Sequence, residues 1–143
     1  MNEEIINFYS ENDFKLKEEV LYEKWLTRVI SSEEKKTGEI SFVFCDDEYL
    51  HKMNLEYLDH DTFTDIISFD GTVGNILGGD IFISTERVAD NAEVFEVPFK
   101  EELKRVMVHG VLHFCGYKDK TPEEKKLMRA KEEEKMKMFH VEQ

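Results

Sequence analysis

From Val106 to Cys115 the chain reads VMVHGVLHFC, a run whose apolar character is broken only by Gly110 and two histidines. A helix that is apolar on every side has no face to offer water, so it must lie at the centre of the fold around it. Charged first turns from about Lys100 lead into this segment, and Gly116 ends it as a residue that tolerates left-handed backbone. The remainder has to supply the layers that cover it. With 143 residues, 41% of them hydrophobic, the chain can do so as one domain spanning 1–143. No repeat and no Pro/Gly/Ser-rich linker divides it, and only Pro98 and Pro122 interrupt it.

The covering elements follow from periodicity. A short apolar segment, Ile5 to Tyr9, is expected as a first strand. From about Lys15 to Ile30, Leu21, Tyr22, Trp25, Leu26, Val29 and Ile30 recur at helical spacing, with Gly38 as the stop after a charged tail. EISFVFC (39–45) alternates with Ile40, Phe42 and Phe44 on one face, as a strand does. Asp46 or Asp47 can cap a short helix through Leu50, Met53, Asn54 and Tyr57. TDIISF (64–69) and GDIFIS (79–84) read as two further strands joined through a glycine-rich turn. Ser84 or Thr85 opens a helix with Val88, Ala92 and Phe95 facing inward. The last helix begins with Thr121 as N-cap, Pro122 at its first position and Glu124 closing a capping box, and runs to about Phe139. Its charge run is expected to be a solvated face, with Leu127, Met128 and Met138 packing inward. The fold class is therefore α+β: a small, mixed, four-stranded sheet packed with about five helices, one of them the buried histidine helix.

That helix carries the chemistry. His109 and His113 are four apart, so their side chains share one face a turn apart, and two imidazoles so placed can reach one cation. Asp119 follows the helix stop by three residues and can return a carboxylate towards them. This is the H-x-x-x-H-x-x-G-x-x-(H/D) spacing of metzincin zinc sites. Two histidines and a carboxylate leave a coordination position open, in the manner of catalytic rather than four-ligand structural zinc. The plain alternative is a pair of core histidines satisfied by hydrogen bonds. Leaving an imidazole unsatisfied in an apolar setting costs on the order of 1–3 kcal/mol, and one ion would satisfy both rings. Where H-E-x-x-H proteases carry a glutamate base, this chain has Gly110, which moves no proton. The expectation is one Zn²⁺ on His109, His113 and Asp119, with His113 and a water on the ion at the catalytic centre and no general base assigned.

Other groups read more plainly. Cys45 and Cys115 are expected as buried free thiols, and two cysteines without CxxC spacing suit a reducing cytoplasm. His51, His60 and His140 are expected at the surface. Asp61, Asp65 and Asp80 are caps or turn residues, or groups near the site. The acidic N-terminus lacks a signal-peptide pattern, and no run approaches the ~18 apolar residues a membrane span needs. A net charge of −13 disfavours broad electrostatic binding to nucleic acid, so an RNA partner would need a local patch, the metal, or another protein.

Three blocks also resemble a known family. HGVLHFCGYKDK (109–120), MNLEYLDHDTFTDIISF (53–69) and GGDIFIS (78–84) are similar, in that order, to the motifs of the YbeY family of bacterial rRNA maturation factors. The resemblance implies a single-strand-specific, metal-dependent endoribonuclease acting in 16S rRNA maturation and ribosome quality control. Ribosomal RNA or ribosomal subunits, with a ribosomal or assembly-factor protein, are the implied partners. It places the family's first two histidine ligands at His109 and His113; its third histidine is Asp119 here, and the aspartate before that is Lys118. Its substrate-facing arginine is replaced by Leu58, leaving Lys52, Lys100, Lys104, Arg105 and Lys118 as candidate substitutes. A non-catalytic assembly factor with a structural zinc is the alternative, and a metalloprotease a more distant one.

Overall fold

In the computed structural model, which describes residues 5–139, the elements run β1 (Ile5–Ser10), α1 (Glu19–Ser32), β2 (Lys36–Cys45), α2 (Asp47–Leu58), β3 (Ile66–Asp70), β4 (Ile76–Ser84), α3 (Thr85–Phe95), α4 (Phe99–Phe114) and α5 (Pro122–Met136). The strands form one sheet in the order β1-β2-β4-β3. β1, β2 and β4 are mutually parallel, and β3 returns antiparallel to β4. This is the α+β arrangement with a mixed four-stranded sheet.

Period-two alternation sends Ile40, Phe42 and Phe44 of β2 and Leu77, Ile81 and Ile83 of β4 to the same face, where all six are fully buried. Trp25, Leu26, Val29 and Ile30 of α1 and Met107, Val108, Val111 and Leu112 of α4 meet them there. On the opposite face α2 covers only the β3/β4 end, closing a smaller cluster of Cys45, Leu50 and Ile67.

Gly110 lets α4 lie close to the sheet. A Cβ there would stand 2.9 Å from Ile81 Cδ1 and 3.2 Å from Ile66 Cδ1, so the close approach replaces the helix propensity that glycine gives up. Gly79 permits a second one: at φ +142° its absent Cβ would fall 2.2 Å from the Phe69 carbonyl oxygen.

Four expectations need correction. The first helix starts at Glu19 rather than near Lys15, because Glu18 is left-handed and Phe14 and Leu16 pack on the core from outside the helix. Gly38 does not stop that helix. Glu33 caps it and Glu34 turns the chain at φ 61°, while Gly38 lies within β2. Leu127 is 51% exposed, whereas Met128 is buried and Met138 packs on the core as expected, so of these three only Leu127 leaves the inward face. Phe95 is 49% exposed, its ring lying 5.2 Å from the Arg105 guanidinium instead of in the core.

Candidate metal centre

The end of α4 and the start of α5 together fix where Asp119 sits. Gly116, at φ +110°, lets its own N–H donate to the His113 carbonyl at 2.9 Å and the Tyr117 N–H donate to the Leu112 carbonyl at 3.1 Å, closing the helix. Tyr117 then anchors the turn through its hydroxyl, which donates to Glu33 at 2.8 Å. At the other end the Thr121–Glu124 capping box is fully formed. Asp119 is thus held in a short link fastened at both sides.

The three expected ligands come together. His109 Nε2 lies 3.1 Å from His113 Nε2, 3.2 Å from Asp119 Oδ2 and, through that same oxygen, shares a corner with His113 Nε2 at 3.4 Å. A tetrahedral ion bound at about 2.0–2.1 Å has ligand–ligand edges of about 3.3–3.4 Å. The three atoms therefore stand near three corners of such a tetrahedron, and this group could hold a metal ion. His109 and His113 side chains are 19% and 30% exposed, so they line the wall of a cleft and are not sealed in the core.

A carboxylate absent from the sequence expectations orients the first histidine. Glu132 of α5, 5% exposed, accepts from His109 Nδ1 at 2.6 Å. That bond places the proton on Nδ1 and turns the Nε2 lone pair towards Asp119 and His113, as carboxylates behind metal-bound histidines do. Burial opposes charging of His109, but Glu132, with Asp119 and Asp65, outweighs it and raises the pKa above its ordinary 6.5. Two imidazole lone pairs and a carboxylate converging at these distances require a cation or a proton between them. The near-equal edges suit a cation.

The cleft has a volume of about 470 Å³, within the range of roughly 300–1,000 Å³ usual for ligand sites. Asp65 lines it beside His109; burial raises its carboxyl pKa, against the pull of its own backbone N–H and of the positive charges of His109 and Arg105. Of the two sequence readings of Asp65, a cap or turn residue or a group near the site, the structure favours the second. Arg105 also lines the cleft, held by buried Glu102. Burial raises the Glu102 pKa in spite of that partner. Lys125 and Arg129 complete the cationic lining, and neither stood out in the sequence.

The remaining candidates lie elsewhere. Lys52 and Asp80 border a separate hollow under α2, and Lys104 stacks over the Phe139 ring at 4.0 Å. Lys100 and Lys118 are exposed, and Leu58 is 42% exposed at the end of α2, outside the cleft. His51 pairs with Asp61 at 2.8 Å and stacks on Phe63, His60 is exposed, and His140 lies outside the described residues. Cys45 is buried and Cys115 half-buried; burial pushes their thiols to about 12 and about 11.

A mixed sheet backed by a helix that presents two histidines and a following carboxylate defines a class of α+β protein built around a helix able to ligate a metal. The profile of the family described as Endoribonuclease YbeY matches residues 5–140. The chain belongs to that family. Proteins named Endoribonuclease YbeY from Christiangramia forsetii and Flavobacterium johnsoniae are 67% and 63% identical to it. These alignments cover 96% of both chains for the first, and 97% of this chain and 100% of the relative for the second. One from Porphyromonas gingivalis is 44% identical over 94% of this chain and 89% of its own. A solution structure of a protein from Thermotoga maritima shares the fold, with a TM-score of 0.66 at 22% identity, over 94% of this chain and 89% of that one. Among the described residues no helix is long and apolar enough to cross a membrane.

Proposed function

We propose that this chain is a zinc-dependent endoribonuclease that cuts single-stranded segments of ribosomal RNA precursors in the cytoplasm, acting as one unit over 1–143. The observation that carries the reading is the triangle of His109, His113 and Asp119, whose edges match those of a zinc tetrahedron and whose open side faces the cleft. When bound, the ion supplies Lewis acidity and the activation of water for attack on phosphorus. The protein's own residues do the rest. Glu132 fixes the ring of His109, and the fastened link between α4 and α5 holds Asp119 in place. Asp65 is the cleft carboxyl with no side-chain partner bonded to it among the described residues, and burial raises its pKa, which makes it a stronger proton acceptor than an ordinary carboxylate.

An open fourth corner favours catalysis over a purely structural ion, and Gly110, pressed against Ile81, leaves no room for the glutamate of a protease. Ribosomal RNA or ribosomal subunits are the partners on this reading. The test sets the zinc-loaded protein beside its His113→Ala variant on a ribosomal RNA precursor. The parent is expected to cut at least 100-fold faster; equal cleavage by the two would trace the activity to a contaminant and remove the proposal.

A further inference from the structure

Lys125 and Arg129 are four apart on α5, so they share the helix face that also carries Met128 and Glu132. All four line the cleft. Met128 and Glu132 are buried and pin this face against α4, which leaves the two longer cationic side chains at the cleft rim. Their charges are in different states from that of Arg105. Arg105 is 17% exposed, ion-paired to Glu102, and lies against Phe95, so its charge is already spent inside the protein. Lys125 is exposed and has no ion pair among the described residues. Arg129 is 51% exposed and among the described residues reaches only Glu132, at 3.7 Å, an oxygen it shares with Arg105 at 3.9 Å. The cleft thus holds two cations that can leave water or a loose contact for an incoming anion.

They also stand out against the molecule as a whole. The chain carries 32 acidic and 19 basic residues. At physiological ionic strength charges are screened over about 8 Å, so distant carboxylates matter little to a phosphate in the cleft and the nearest cations decide. Ser68, on the strand side of the cleft, adds a hydroxyl that can donate to a phosphate oxygen.

We propose that Lys125 and Arg129 form the phosphate-holding rim of the cleft, seating the RNA backbone next to the metal triad. This rests on the endoribonuclease reading and names the residues that position its substrate. Arg129 offers a planar fork that can bond two phosphate oxygens, and Lys125 a mobile point charge one turn towards Asp119. Glu132 links the two halves: one oxygen orients His109 and the other faces Arg129.

The experiment measures binding of a fluorescent single-stranded oligoribonucleotide to the full chain, metal-free and zinc-loaded, across a salt series. Compared are the parent, the double variant Lys125→Gln/Arg129→Gln, Arg129→Lys, and Lys126→Gln as a neighbour on the same helix outside the cleft. Loss of both cations is expected to weaken binding at least tenfold. The slope of log K against log salt should fall by about 1.4, at roughly 0.7 for each single-strand phosphate contact. Lys126→Gln should stay within twofold of the parent, and Arg129→Lys should keep the slope. Zinc content of the double variant should equal that of the parent, and in cleavage KM should rise while kcat stays within about threefold. Parent-like affinity and slope in the double variant, with the parent cutting RNA, would overturn the rim assignment and leave the enzyme reading intact. A parent that neither binds nor cuts RNA would remove both.

Discussion

Glu132 shows how much one side chain can decide. It sits in the run KEEEKMK, where composition gives no reason to separate it from Glu133 and Glu134. The signal was present as a period: from buried Met128 the inward stripe of α5 continues to Glu132 and Lys135, four and seven positions on, and all three are buried. A charged residue on the apolar stripe of an amphipathic helix asks for a partner, and here the partner is His109 Nδ1. Glu132→Gln keeps the size and one acceptor oxygen but removes the charge that holds the His109 proton on Nδ1. Zinc affinity is expected to fall 10- to 100-fold, the usual cost of losing such a carboxylate behind a ligand, as read by competition with a chromophoric chelator. Affinity unchanged from the parent would mean that Glu132 only fills space.

At the level of elements, the buried charges at the far end of α5 join the helices to one another. Glu33, at the cap of α1, accepts from Lys135 at 2.8 Å, Lys131 at 3.2 Å and the Tyr117 hydroxyl at 2.8 Å, tying α1, α5 and the turn after α4 at one point. Trp25 of α1 adds a buried N–H bond to the Lys135 carbonyl at 2.8 Å. Lys135 is only 2% exposed, so Glu33→Gln would leave a buried ammonium with Ser32 and the exposed Glu134 as its remaining partners. Breaking a buried pair costs about 3–5 kcal/mol; with those partners retained the loss is expected at about 2–3 kcal/mol by urea unfolding. The pH dependence has a definite sign. Burial raises the Glu33 pKa, but the bonds from Lys135, Tyr117 and Lys131 outweigh it and hold the carboxyl below its ordinary 4.5. Its contribution is therefore present above about pH 4.5 and is lost as the pH falls through the lower folded value, so the gap between parent and variant should close in acid. A gap that stayed constant from pH 7 to pH 3 would contradict this. Strand identities, the α4 stop and the α5 capping box were legible because each is written in local chemistry: alternation at Ile40, Phe42 and Phe44, a left-handed glycine, and a Thr–Glu pair three apart. The start of α1 and the exposure of Leu127 were not, because Glu18 adopts left-handed backbone without being glycine and α5 packs through Met128, which leaves Leu127 one position round on the outer side. Of the candidate site, the convergence of His109, His113 and Asp119 was legible from spacing alone, whereas Asp65, Glu132, Lys125 and Arg129 join it only through tertiary contact.

For the whole molecule the governing quantity is charge. A net charge of −13 makes the folded state repel itself; within the cleft Asp65, Asp119 and Glu132 are faced by Arg105, Lys125 and Arg129, so the excess lies over the rest of the molecule. A divalent cation held by His109, His113 and Asp119 would stabilise the folded chain in two ways, by ligation and by lowering its net negative charge. The unfolded chain holds no such triangle, so binding favours the folded state by mass action. With free zinc at 100 times its dissociation constant the gain is about 2.7 kcal/mol. For a chain of this length each kcal/mol moves Tm by about 2–4 °C, which puts the expected rise at about 5–10 °C. Monovalent salt would also raise Tm by screening the −13, so the titration must be run at fixed ionic strength, where the metal is the only variable. In calorimetry the parent should gain this increment with zinc and lose it again with chelator. Asp119→Ala removes one corner and should retain less than half of it, and His109→Ala/His113→Ala, with one ligand left, should show none. A double-histidine variant that gained as much as the parent would show that zinc acts on the diffuse surface charge, and the triangle would no longer account for it.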